Sequence, residues 1–527
     1  MKKFAILFLA LFLPIFIITL LGIQDDEDEI GLPEKKIKLQ NYVFKADRQV
    51  GEVVDHSRFE ELQQEFENAH KVTEACLGCH NERHHEIMKT PHWNWERDEV
   101  LEGKGVISLG KKNILNNFCI GISGSEQTCT RCHIGYGWSD KSFDFNEPTN
   151  IDCLVCHDQT DTYEKGQGAA GYPAAHVDLA YVARNVGSPR KENCGVCHFW
   201  GGGGNNVKHG DLDKAMLDCS REIECHVTEH HNLTGKLYAL SSENKNRVTC
   251  EQCHTEKPHD DQILNDHICR IACQTCHIPY YAKAGATKMI WDWSTAGELD
   301  EHGHPKHEDD AYGNHKYLAI KGTFIWDDHV VPEYYWFNGI ANHQLIEDKI
   351  ESIPVQMNSL DGAYMDKGLC KKSIQPSKIW PVKVHRGKQV YDTVHKTLIQ
   401  PKLYAPRKGE GAYWKDFDWI EASQQGMDYV GLPFSGHYDF VETEMYWPLN
   451  HQVAPKEQSL QCADCHTREG GRLASLKDFY LPGRDYKAGV EIFGILLIAF
   501  SILGVMVHAT CRVISGRKCK MNKYLNN

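Results

Sequence analysis

Apolar and polar positions divide this chain of 527 residues into unequal zones. The first is an apolar run from Phe4 to Ile23, preceded by Lys2 and Lys3 and followed by the acidic stretch Asp25 to Glu29. That order reads as an export signal over residues 1–23 or as an uncleaved N-terminal anchor, and the absence of an A-x-A site before the acidic stretch leaves both open. The second run, Val490 to Val513, carries enough apolar residues, about 20, to cross a bilayer as a helix. Arg512, Arg517, Lys518, Lys520 and Lys523 follow. By the positive-inside rule the tail is cytoplasmic, and the body sits at the periplasmic face of the inner membrane. Between the runs, residues 280–455 are rich in aromatics, among them Trp291, Trp293, Trp326, Trp336, Trp380, Trp419 and Trp447. So long a stretch must pack in its own right or cover its neighbours.

The candidate chemistry lies in the cysteines. CxxCH occurs seven times: Cys76, Cys79, His80; Cys129, Cys132, His133; Cys153, Cys156, His157; Cys194, Cys197, His198; Cys250, Cys253, His254; Cys273, Cys276, His277; and Cys462, Cys465, His466. With 21 cysteines and 30 histidines in the chain, chance supplies roughly 0.05 such matches. In this signature two thiols form thioethers with the vinyls of haem c and the adjacent imidazole reaches the iron. Structural zinc would not need a His after every second Cys, and disulfides would not impose a two-residue gap seven times. Cys219, Cys225 and His226 form a Cx5CH variant, read as an eighth haem site with the extra residues looped out, against a free or disulfide-bonded pair. Five cysteines remain: Cys119, Cys269, Cys370, Cys511 and Cys519. Disulfides are open for these.

Haem sites this close together cannot each have a domain of their own, so the chain must wrap a haem stack. The expected fold is mainly α with extensive irregular structure: short helices bearing the CxxCH turns, little sheet, and terminal membrane helices. The expected regions are a haem-rich part over 50–279 with seven haems, an aromatic-rich cover over 280–480 with the last haem site, and a transmembrane helix over 490–513. A net charge of −14 argues against nucleic acid as a partner. It suits a quinol-linked or cytochrome electron donor. Lys378, Lys383, Arg386 and Lys388 form a basic group that reads either as a solvated face or as a lure for anions.

Several stretches extend the pattern beyond CxxCH: NNFCIGISGSEQTCTRCHIGYGW (117–138), IDCLVCHDQTDTYEKG (151–166), ENCGVCHFWGGGGNNVKHGDLD (192–213), ACQTCHIPYYAKAGATKMIWDWS (272–294) and MYWPLNHQVAP (445–455). Over roughly residues 50–475 the chain resembles the octahaem tetrathionate reductase family. It departs from that family in its Cx5CH, where an ordinary CxxCH is usual, and in its added membrane span. The resemblance implies distal ligands His56, His92, His209, His231, His259, His267 and His451, with His230 an alternative to His231, and His84 or His85 to His92. Seven histidines then serve eight haems. It also implies that Lys165, in DTYEKG, ligates the catalytic haem attached at Cys129 and Cys132 beside His133. By itself Lys165 reads as a solvated loop lysine, and a lysine can ligate ferric iron only as the neutral amine. The implied activity is reduction of a small oxyanion: tetrathionate to thiosulfate, or nitrite or hydroxylamine. A membrane-tethered electron conduit without catalysis is the other reading, separated from the first by whether one haem exchanges its ligand.

Overall fold

The computed structural model describes residues 54–525, apart from 102, 199–249, 253, 340, 361–376 and 486. The N-terminal apolar run, the Cx5CH segment with Cys219, Cys225 and His226, the candidates His209, His230 and His231, and Cys253 and Cys370 lie outside the described residues.

The motifs ride on short helical turns, as expected. These are α1 (Ala69–Cys79), the turns Glu126–Cys129 and Leu154–His157, α2 (Lys191–His198), the turn Cys250–Gln252, α3 (Cys273–His277) and the turn Cys462–Cys465. One helical turn sets the first Cys, the second Cys and the His along a single face. The amides of His80, His254 and His466 each close that turn on the carbonyl of the first Cys at 2.8 Å. Asn68 starts α1, its side chain accepting from the Lys71 amide. A hairpin of β1 (Arg97–Leu101) and β2 (Gly105–Leu109) follows α1.

The expectation of a mainly α fold with little sheet is corrected here. Residues 287–448 build a large mixed sheet. The strands of this region are β3 (Thr287–Asp292), β4 (His307–Asp309), β5 (His315–Leu318), β6 (Gly322–Asp327), β7 (Glu333–Phe337), then β8 (Ala341–His343) and β9 (Val355–Gln356), β10 (Asn358–Leu360), β11 (Lys378–Asp392), β12 (Thr397–Leu398) and β13 (Tyr438–Pro448). The order is β4-β5-β6-β3-β11-β13-β9, with β7 and β12 also on β11, while β8 and β10 pair separately. The long β11 runs antiparallel to β13 from Val382 opposite Pro448 to Asp392 opposite Tyr438, and parallel to β3. Segments such as TKMIWD, EYYWF and KIWPVKV are rich in β-branched and aromatic residues, which fit a pleated surface. Aromatic density was the visible part of that signal.

Helix α4 (Trp419–Val430) packs on this sheet, burying Trp419, Ala422 and Met427 with Trp291, Trp293, Val390 and Val441. Asp418 caps it, accepting from the amides of Ile420 and Glu421, and Gly431 ends it at φ +77°. The last helix, α5 (Ala488–Leu525), is long and apolar enough to cross a membrane, and none of its apolar window is buried.

Candidate haem sites and active centre

Four of the expected distal histidines face a motif histidine at the spacing an iron between them requires. The ring centroids of His56 and His80 are 6.3 Å apart, of His92 and His198 6.1 Å, of His259 and His277 6.3 Å, and of His267 and His466 6.1 Å. Two metal–imidazole bonds of about 2.0 Å, with each centroid about 1.2 Å behind its nitrogen, give roughly 6.4 Å. The Nδ1 atoms of His56, His157, His267, His277 and His466 each meet a backbone carbonyl, of Val54, Gly187, Ile263, Ala454 and Pro482 in turn. That contact fixes the ring and turns Nε2 outward as the metal-facing atom. These residues fit haem c. The rings of His84 and His85 lie against each other, tilted, with centroids 3.8 Å apart, and His92 takes the place opposite His198. His451 lies in the loop after β13, whose Asn450 accepts from Gln274 on α3.

The motifs are also close to one another. Cys76 lies beside Cys153, Cys197 Sγ approaches the Cys132 carbonyl at 4.0 Å, and Cys250 lies beside Cys273. Cys276 lies within electrostatic reach of Cys465 and Cys462. Among the leftover cysteines, Cys269 is disulfide-bonded and Cys119 is a free thiol.

One motif departs from the rest. His133 is fully buried among Trp93, Trp95, Trp138, Phe143 and Phe145, and its Nε2, not its Nδ1, is bound at 2.6 Å to the Trp93 carbonyl. Burial holds the imidazole neutral, pushing its pKa down to about 3. Lys165 comes to the same motif from the following loop and is 1 % exposed. Its Nζ donates to the His133 carbonyl and, at 3.3 Å, to that of Gly135, and it stands 3.0 Å from Asp152 Oδ2. Asp152 also accepts from the Tyr136 and Tyr163 hydroxyls at 3.0 and 2.8 Å. Arg131, inside the CxxCH itself, fastens the loop. Its Nε donates to the Lys165 carbonyl and its Nη2 to Glu164, both at 3.0 Å.

Sequence reasoning missed a second cluster beside this motif. Lys383 is fully buried, not on a solvated face, and donates to Thr287 Oγ1 at 2.6 Å. Strand β11 is paired edge to edge with β13 and β3, and Lys383 and His385, two residues apart on it, share a face and are both fully buried. Neither ring nitrogen of the buried His385 has a hydrogen-bond partner among the described residues. Lys288 Nζ sits 4.1 Å from the Trp291 ring centroid and 4.3 Å from that of Phe324. Burial pushes its ammonium down to about 7, with Lys321 adding to the effect and Cys119 opposing it. Cys119 and Lys321 in turn act on the Cys129 thiol, which ties these cations to the Cys129–His133 motif. Arg386, by contrast, is paired with Glu333 at 2.8 Å and Glu444 at 3.1 Å.

Bis-histidine spacings on CxxCH turns, closely strung along one chain, define a multihaem c-type cytochrome. The family model described as "Cytochrome c bacterial" matches residues 288–469. An uncharacterized protein of Archaeoglobus fulgidus is 22% identical over 259 residues, 40% of this chain and 80% of its own length. The crystal structure of octaheme cytochrome c from Shewanella oneidensis is 42% identical, with a TM-score of 0.71 over 79% of this chain and 94% of that one. The chain belongs to the octahaem c-type cytochromes of the octahaem tetrathionate reductase kind.

Proposed function

We propose that the protein is a membrane-anchored octahaem reductase of small oxyanions, with its active centre at the haem of Cys129 and Cys132. The observation that carries this reading is the pair of anomalies at that motif: a buried Lys165 brought against it, and a His133 whose metal-facing nitrogen is bound to Trp93. Haem c supplies redox equivalents and an exchangeable iron position. Cys129, Cys132 and Lys165 would hold the haem and leave a position for substrate, while His133 is kept on the Trp93 carbonyl. Asp152 Oδ2 and the carbonyls of His133 and Gly135 fix the position of the Lys165 Nζ beside the motif. Lys321, and Lys288 where it is protonated, favour an anion. Two electrons split one tetrathionate into two thiosulfates at its central S–S bond; nitrite and hydroxylamine suit the same open position. The remaining haems, including those of Cys153, Cys250 and the Cx5CH, relay electrons. His209, His231 and His451 are proposed among their distal ligands.

Helix α5 follows the Cys462–His466 motif closely, and Arg468 reaches Glu491 on it at 3.3 Å. This motif is the proposed point of entry for electrons from a quinol-linked or cytochrome donor at the periplasmic face of the inner membrane. The test is substrate-dependent oxidation of dithionite-reduced protein by tetrathionate, nitrite or hydroxylamine, run beside Lys165→Arg. Arginine keeps a cation for Asp152, but its guanidinium does not deprotonate to ligate iron. We expect all haems to stay attached and activity to fall to a small residue. Full activity with an unchanged high-spin signal would refute the assignment, and an unaltered spectrum on adding cyanide or nitrite to the oxidised wild type would favour a pure electron conduit.

A further inference from the structure

Four histidines fall within residues 302–315, far in sequence from every haem motif: His302, His304, His307 and His315. Two of them converge with a carboxylate on the β4–β5 hairpin. His307 Nε2 lies 2.7 Å from Asp309 Oδ1, His315 Nδ1 lies 2.7 Å from the same oxygen, and the two nitrogens are 3.2 Å apart. We propose that His307, Asp309 and His315 form a binding site for a divalent transition cation of the zinc–copper class, independent of the haems.

The spacing carries the argument. Donors bonded to a metal at about 2.0–2.2 Å stand roughly 2.9 Å apart at the right angles copper and nickel prefer and roughly 3.4 Å apart at the tetrahedral angles of zinc; the observed edges of 2.7, 2.7 and 3.2 Å lie around the first value and a few tenths of an ångström short of the second. His307 and Asp309 are two residues apart on one strand and share a face, and the irregularity at Glu308 and Asp309 sets Asp309 directly opposite His315. The support is built in. Asp310 Oδ1 accepts from the amides of Tyr312 and Asn314 at 2.8 Å, with Gly313 at φ +82° completing the turn. Trp326 Nε1 donates to the His315 carbonyl at 2.8 Å. The nearby Lys306 ammonium is drawn off by Glu298 and Glu308 at 3.1 and 3.2 Å, which keeps a competing cation out of the triangle. Two imidazoles and one carboxylate suit zinc, copper or nickel, whereas magnesium and calcium want oxygen alone. All three side chains are partly exposed, so the outer positions take water.

The test uses the full haem-loaded protein, stripped with chelator, dialysed to equilibrium against zinc chloride and analysed for zinc per iron. Wild type should hold one zinc per chain more than His307→Ala/His315→Ala, with iron content the same in both. Asp309→Asn should weaken that zinc by more than roughly tenfold, the lower end of what even an outer-shell change costs a metal site. Zinc contents that are equal in wild type and double variant, including none in either, would overturn the proposal.

Discussion

Lys288 shows how one residue couples burial to function. Aromatic rings strip its ammonium of water, so its pKa falls to about 7 from the ordinary 10.5. Below that pH it is charged beside Cys119 and adds to the pull on an anion; above it the amine is neutral. The KM for an oxyanion should therefore drop as pH falls from about 8 to about 6, by an order of magnitude for one charge at close range in a dry site. Lys288→Met should flatten that profile while leaving the haem complement intact, and an unchanged slope would place the anion elsewhere. The stability effect has a definite sign. Between about 7 and 10.5 the unfolded chain holds a proton on this lysine that the folded chain does not, so stability rises with pH through that window. Lys383 follows the same logic, its pKa well below the ordinary value because it is fully buried. The covalent haem chemistry was legible because CxxCH is local, with every partner inside five residues. The lysine cluster was not, because Lys383 reads as a surface residue until the packing that buries both faces of the middle of β11 is known. Arg131 and Asp152 were missed for the same reason, since their roles depend on where a loop more than ten residues away returns.

At the scale of elements, α4 sets local preference against packing. Gly426 lies inside this helix, where Ala is intrinsically better by about 1 kcal/mol. A Cβ at that position would stand 1.9 Å from the Gln400 carbonyl oxygen and 2.6 Å from the Lys402 amide. Gly426→Ala should therefore lower the thermal unfolding midpoint despite its propensity, because the backbone of residues 400–402 cannot give way without opening the contact of α4 with the sheet. Asp418→Ala on the same helix should lose about 1 kcal/mol through two amides left uncapped. A gain in stability from Gly426→Ala would mean that α4 is not docked as described. Sequence reasoning took neither Asp418 nor Gly431 as a helix boundary, although both signals are local. It marked α5 by length and apolarity alone. The sheet was not legible, because strands such as β4 and β9 are two or three residues long and acquire meaning only through their partners, and a mixed order with parallel and antiparallel neighbours leaves no simple period.

At the scale of the molecule, the described motifs fall into two groups. Cys76, Cys153, Cys197 and Cys132 are linked by thiol contacts, with Cys194 in reach of Cys156; Cys250, Cys273, Cys276 and Cys465 are linked likewise. The first group holds the proposed active centre and the second lies toward α5. In the sequence the Cx5CH of Cys219, Cys225 and His226 falls between the two, after Cys197 and before Cys250. We propose that an eighth haem there links the two groups in a relay that runs from the membrane side to the Cys129 motif. Cys219→Ser/Cys225→Ser should then show one haem fewer by intact mass. Dithionite, which reaches both groups from solution, should still reduce the remaining haems, whereas turnover driven by a membrane quinol pool should collapse. An unchanged haem count would sink the eighth site. A lost haem with undiminished quinol-driven turnover would mean that electrons enter the first group directly, and that the Cys462 haem is not their gate.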